Sequence, residues 1–188
     1  MKRAIELTDP RALRALAHPL RVKLLGLLRL EGPMTASEAG RRVGESSGSA
    51  SYHLRQLERY GLVEEAEGGT GRRRPWRATA LYTSWPNVAD TPELAEAAGA
   101  FERFVVAGYV ERLERWIERR RAEPVDWQEA AVFGDSLLYL TVDELAILRD
   151  ALQALADPYL ERIGSSDRRP PGTRPVKFLQ IAFPEDDR

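Results

Sequence analysis

The sequence predicts an α+β fold, mainly α, in which four short helices and a hairpin precede a helical C-terminal region with one long helix and a few short strands. Three observations carry that prediction. Caps and breakers punctuate residues 10–61 at short intervals, two β-favouring runs flank the glycine-rich GGTGRRR, and an apolar stripe at spacings of three and four extends from Leu94 to Ile117.

Each element has its own local signal. Asp9-Pro10 is an N-cap followed by proline at the first helical position, and it opens a short helix through Ala17. A second helix begins near Pro19, places Leu20, Leu24, Leu27 and Leu28 on one face, and ends at Glu31-Gly32-Pro33. Thr35-Ala36-Ser37-Glu38 is a capping box whose helix ends at Gly44. The fourth helix runs from about Gly48 to Tyr60 and stops at Gly61, a glycine suited to a left-handed C-terminal position. Residues 62–66 and 75–79 then form the two arms of a β-hairpin around GGTGRRR.

Residues 81–91 read as a proline-containing linker, which divides the chain into domains at 1–80 and 92–188. Thr91-Pro92-Glu93 starts the longest helix, which reaches about Arg121. Its stripe of Leu94, Ala98, Phe101, Val105, Tyr109, Leu113 and Trp116 suits pairing across a two-fold axis. Beyond Pro124, residues 126–141 are mostly β-favouring. Thr141-Val142-Asp143-Glu144 is a second capping box leading into a helix, and residues 176–183 (VKFLQIAF) read as a terminal strand.

Composition narrows the function classes. With 43% hydrophobic and 30% charged residues, the 188-residue chain has the make-up of a soluble globular protein. No apolar run approaches the ~18 residues of a membrane span, and MKRAIELTDP is not a secretory signal. The absence of cysteine excludes disulfides and thiolate chemistry and suits a reducing cytoplasm. No Ser–His–Asp spacing, HExxH or phosphate loop is present, and the capping box accounts for Glu144, so no catalysis is expected and no cofactor. A net charge of −1 conceals an asymmetry: residues 1–80 hold 15 basic against 9 acidic side chains, and residues 81–188 hold 13 against 20. The front half is therefore the half suited to a polyanion.

Two short helices joined tightly at residues 44–47, the first capped and the second amphipathic, form a helix-turn-helix. The second opens on ESSGSAS, weak helix formers that cost stability unless close approach demands them. A helix entering a major groove ~12 Å wide needs small side chains at its front. Its exposed face would carry Ser47, Gly48, Ser49, Ser51, Tyr52 and Arg55, while Leu54, Leu57 and Tyr60 face inward. Arg72, Arg73 and Arg74 on the hairpin form a basic wing for phosphate contact.

Residues 10–80 resemble the winged-helix domain of ArsR-type bacterial transcriptional regulators, through the AHPLRVKLL opening, the SYHLRQLERYGLV recognition helix and the basic wing. The resemblance implies a cytoplasmic, nucleoid-associated homodimer that represses from a near-palindromic operator. It places DNA contacts at Ser47, Gly48, Ser51 and Tyr52 and at the wing arginines. Many relatives have Gln then Ser where this chain has Ser47 and Gly48. Many also sense metals through cysteines or His/Asp/Glu clusters, whereas this chain has no cysteine and only His18 and His53, so no metal site is expected. His18 reads as a helix-boundary hydrogen-bonding residue, and His53 as reaching either phosphate or the interior. Trp85, Trp116, Trp127 and their aromatic neighbours either wall a pocket for a small apolar effector or fill the core and dimer seam, and the second reading is the simpler. The rival function is a winged helix whose acidic C-terminal half binds a partner protein.

Overall fold

The structure, a computed structural model, describes residues 2–69, 74–163 and 165–185. The front of the chain is β1 (Lys2–Glu6), α1 (Pro10–Leu16), α2 (Pro19–Glu31), β2 (Met34–Thr35), α3 (Ala36–Val43), α4 (Ser47–Glu58), β3 (Val63–Glu65), β4 (Pro75–Ala78) and β5 (Ala80–Ser84). Behind it come α5 (Pro92–Arg119), a 3-10 turn at Arg120–Ala122, α6 (Val125–Ala130) and α7 (Val142–Leu160). The fold class is the expected one: α+β, mainly α, with a helix-turn-helix near the N-terminus.

The helices start where their caps dictate. Asp9 accepts from the Arg11 amide at 2.9 Å, His18 Nδ1 from the Leu20 amide at 3.2 Å, and Thr91 from the Leu94 amide at 3.2 Å, each just before a proline at the first helical position. Thr35–Glu38 and Thr141–Glu144 form reciprocal capping boxes. The hairpin strands β3 and β4 pair antiparallel in the register Val63↔Ala78 and Glu65↔Trp76, and β2 closes the other edge of β4.

One core organises the front. Leu13, Leu24, Leu28, Leu54, Leu57, Leu62 and Val63 are fully buried, and Trp76 seals the sheet side. Burying each leucine contributes about 1.5–3 kcal/mol. Leu94, Ala98 and Phe101 are buried in this same core. Of the stripe expected to pair across a two-fold axis, these three therefore place their apolar surface within the protomer, beside α1. Trp85 meets Phe101 edge-on at 4.9 Å and donates to Glu102 at 2.9 Å.

Other readings are also revised. Lys2–Glu6 forms a strand parallel to Ala80–Ser84, so the first residues of the stretch read as a linker are part of a small sheet. Arg29 ties α2 to β5 by donating to Ala80 O at 2.9 Å and Thr83 Oγ1 at 2.8 Å, and burial lowers its pKa to about 10. The β-favouring segment 126–141 contains α6 and then irregular extended chain, and residues 176–183 have no strand partner. Among the described residues, every strand lies before residue 85, so the few short strands expected in the helical C-terminal region do not form within the protomer. Beyond Phe101 no described residue is fully buried. No helix is long and apolar enough to cross a membrane.

Candidate nucleic-acid interface

Two glycines set the angle between α3 and α4. A Cβ at Gly40 would stand 2.8 Å from Glu45 O and 3.1 Å from Ser46 O, because the turn crosses directly over α3 there. The Glu45 amide donates to Gly40 O at 2.8 Å, and Gly44 takes φ +79°, a left-handed conformation that glycine adopts without strain. Sequence reasoning used Gly44 as a helix end but passed over Gly40. Nothing local distinguishes a glycine required by close approach from one that merely weakens a helix.

Helix α4 begins one residue earlier than expected. Ser46 is the N-cap and accepts from the Ser49 amide at 3.1 Å. The Ser47 and Gly48 amides therefore stand at the open helix end, where the dipole favours an anion. Ala50, Leu54 and Leu57, spaced four and three apart, are each 0% exposed and fix the helix against the core. This holds the opposite face outward: Ser47, Gly48, Tyr52 and Arg55 are exposed, with Tyr52 59% accessible. Ser49 and Ser51 are half-buried at the flanks, and Tyr60 packs partly into the core. The weak helix formers are thus held helical by packing behind them, and the front turn remains slim.

The two histidines sit together behind this face. His18, at the start of α2, lies 4.5 Å from His53 of α4, and Tyr52 meets His53 edge-on at 5.1 Å. Burial lowers both imidazole pKa values, with the nearby Arg21 charge adding to the effect and Glu45 opposing it at His53. His53 Nδ1 is buried without a hydrogen-bond partner among the described residues. His18 caps its helix as expected, and His53 faces the interior. No group of three His, Asp or Glu of the kind that holds a metal ion occurs among the described residues.

In the wing, Arg74 pairs with Glu65 at 2.7 Å and Arg77 with Glu64 at 2.8 Å. Arg72 and Arg73 lie outside the described residues. Ion pairs this exposed are worth about 0–1 kcal/mol and yield readily to a phosphate. The remaining stripe residues of α5, Val105, Tyr109, Leu113 and Trp116, are half-buried. Of the aromatics singled out in the sequence, Trp116 and Phe133 line one hollow with Gln128 and Val132, and the others lie apart from it. Trp85, Phe101 and Phe104 form a core stack, Trp127 lies under Arg174 at 4.8 Å, and Phe133 and Tyr139 are exposed.

Residues 16–66 match the helix-turn-helix domain family, a span that runs from the end of α1 through α4 and β3. No curated protein matches the chain. The match and the geometry together make this segment a helix-turn-helix DNA-binding domain, the mark of a DNA-binding transcriptional regulator.

Proposed function

We propose that the protein is a homodimeric repressor of the ArsR type that inserts α4 into successive major grooves of a near-palindromic operator. The observation that carries this reading is the front turn of α4. It is slim, exposed and open at the Ser47 and Gly48 amides, and three fully buried side chains brace it from behind. In the complex those amides and the hydroxyls of Ser47, Ser49 and Ser51 meet phosphate and base edges, Tyr52 and Arg55 read bases one turn further on, and Arg72, Arg73 and Arg74 lie along the backbone. The half-buried Val105, Tyr109, Leu113 and Trp116 of distal α5 join the two copies, and residues before 85 make the DNA contacts. Recognition helices reading one operator then sit about 34–36 Å apart.

Binding of the full chain to its own promoter fragment and to a random duplex of equal length, across a salt series, tests the reading. A specific complex with a dimer's footprint and a steep loss of affinity with salt is expected. Weak binding, equal on both duplexes, would overturn it.

A further inference from the structure

The protomer exposes 13934 Å², whereas a compact monomer of 21.2 kDa exposes roughly 9,100 Å². The excess is about 4,800 Å², and in the back half exposed large apolar side chains follow one another. Phe133, Leu137 and Tyr139 stand out from residues 132–140, and Val176, Phe178, Ile181 and Phe183 from residues 174–183, with Tyr139 98% accessible. Val106, Val110 and Ile117 of α5 are exposed as well. Compact monomers rarely leave contiguous apolar patches above a few hundred Å², and obligate homodimer interfaces bury about 2,000–5,000 Å².

Both segments are β-favouring in sequence and belong to no helix or strand, and among the described residues neither makes a backbone hydrogen bond within the protomer. Their charges are opposite in sign: Asp135 is the only charged residue of 132–140, while Arg174 and Lys177 are those of 174–183. Lys177 and Arg174 anchor the second segment along the protomer, 4.9 Å over Tyr109 and 4.8 Å over Trp127 respectively, with Arg174 also 2.8 Å from Glu123. The second segment is therefore laid beside distal α5 with its apolar side chains uncovered.

We infer that residues 132–140 and 174–183 complete a β-sheet with a second copy of this chain, so that the dimer is closed by exchanged strand pairing as well as by α5. The inference rests on the homodimer reading and specifies how the two copies meet. With Arg174 held by Glu123, a two-fold axis sets the segment carrying Asp135 of one protomer against the segment carrying Lys177 of the other and repeats the contact, satisfying both unpaired edges at once. An unrelated partner would have to supply two strands of opposite charge character that this chain already carries.

Hydrogen exchange on the full-length protein, read beside its mass by light scattering, tests this. The expected result is a dimer in which amides of 132–140 and 176–183 exchange at least ~100-fold more slowly than unstructured chain, with protection lost on dilution to monomer. A dimer with unprotected segments would overturn the exchanged sheet and leave the α5 dimer standing. A monomer at every concentration would remove both. Leu138→Pro and Phe178→Pro, each blocking a ladder position, should weaken the dimer at least about tenfold. Retention of the front body's cooperative unfolding in those variants would show that the front still folds, and undiminished dimerisation there would count against the sheet.

Discussion

The two regions of this chain differ in where their apolar side chains go. From Leu7 to Phe101 the leucines and alanines converge on one core, with Leu13, Leu24, Leu54, Leu57 and Leu62 each at 0% exposure. From residue 102 onward the chain is equally helical, with α7 as well capped as any front helix, yet none of its described residues is fully buried. Caps and helix propensity place a helix, but only a complementary surface stabilises it. The front contains that surface, whereas the described residues of the back leave their apolar side chains at least partly uncovered within the protomer.

The sharpest way to break this comparison is to truncate one large side chain in each region. Leu57→Ala should cost about 2–5 kcal/mol, because Leu57 is 0% exposed within the front core and its truncation would leave a cavity. Tyr139→Ala, at 98% exposure, should change the stability of the isolated protomer by less than about 0.5 kcal/mol. Urea unfolding at a concentration too low for self-association measures both. Equal losses would mean that the back has a core of its own.

What the sequence made legible follows the same division. The caps at Asp9, Thr35, Thr91 and Thr141 and the glycines at Gly44 and Gly61 are local signals, and they located helix starts and stops to within one or two residues. The slim face of α4 was legible because Ala50, Leu54 and Leu57 keep helical spacing. The β1–β5 pair was not, since Lys2–Glu6 finds a partner some eighty residues away and nothing local announces it. Nor was Gly40, whose role depends on a turn folding back over it. The α5 stripe was read as a single surface, but it serves two purposes: Leu94, Ala98 and Phe101 face α1 in the protomer's core, while Tyr109 and Trp116 remain half-exposed. A periodicity of 3.6 reports that a face is apolar and not what covers it. The β-favouring runs after residue 126 misled for a related reason, because a strand needs a partner and the protomer offers none.

On the DNA side, Tyr52→Ala or Arg55→Ala should cost about 1–3 kcal/mol on the specific operator and much less on random duplex, since both project from the open face of α4. Fluorescence anisotropy on the two duplexes separates the cases. Equal losses on both would move these residues from base readout to phosphate contact. No comparable DNA effect is expected from Tyr139→Ala. A smaller effect belongs to the wing: Arg74→Ala removes one cation that Glu65 already holds at 2.7 Å. Affinity should fall by roughly 1 kcal/mol or less on any sequence, and the slope of log affinity against log salt should drop by about one. An unchanged slope would mean that Arg74 stays with Glu65 in the complex.

The smallest expected effect is a pH dependence confined to the front, where both histidines lie. His18 and His53 are held below their ordinary pKa of 6.5, chiefly by burial and then by Arg21 and, for His53, by its histidine neighbour; Glu45 pulls the other way at His53. The unfolded chain therefore binds protons more readily than the folded one just below pH 6.5, and stability falls as pH drops through that value toward the lowered folded pKa. Above it the pair contributes no slope. The capping carboxylate of Glu38, whose pKa is lowered by its hydrogen bonds to Thr35, and Asp9, lowered by its bonds to Arg11, lose their contributions only at more acidic pH, which leaves a window in which the histidines alone act. The urea midpoint of the front body should be flat from pH 8 to 7 and decline from 6.5 toward 5.5, and His53→Gln should reduce that decline while His18 still caps α2 through the Leu20 amide. A midpoint independent of pH across the window would mean that the pair is open to water, and the recognition helix would then rest on Ala50, Leu54 and Leu57 alone.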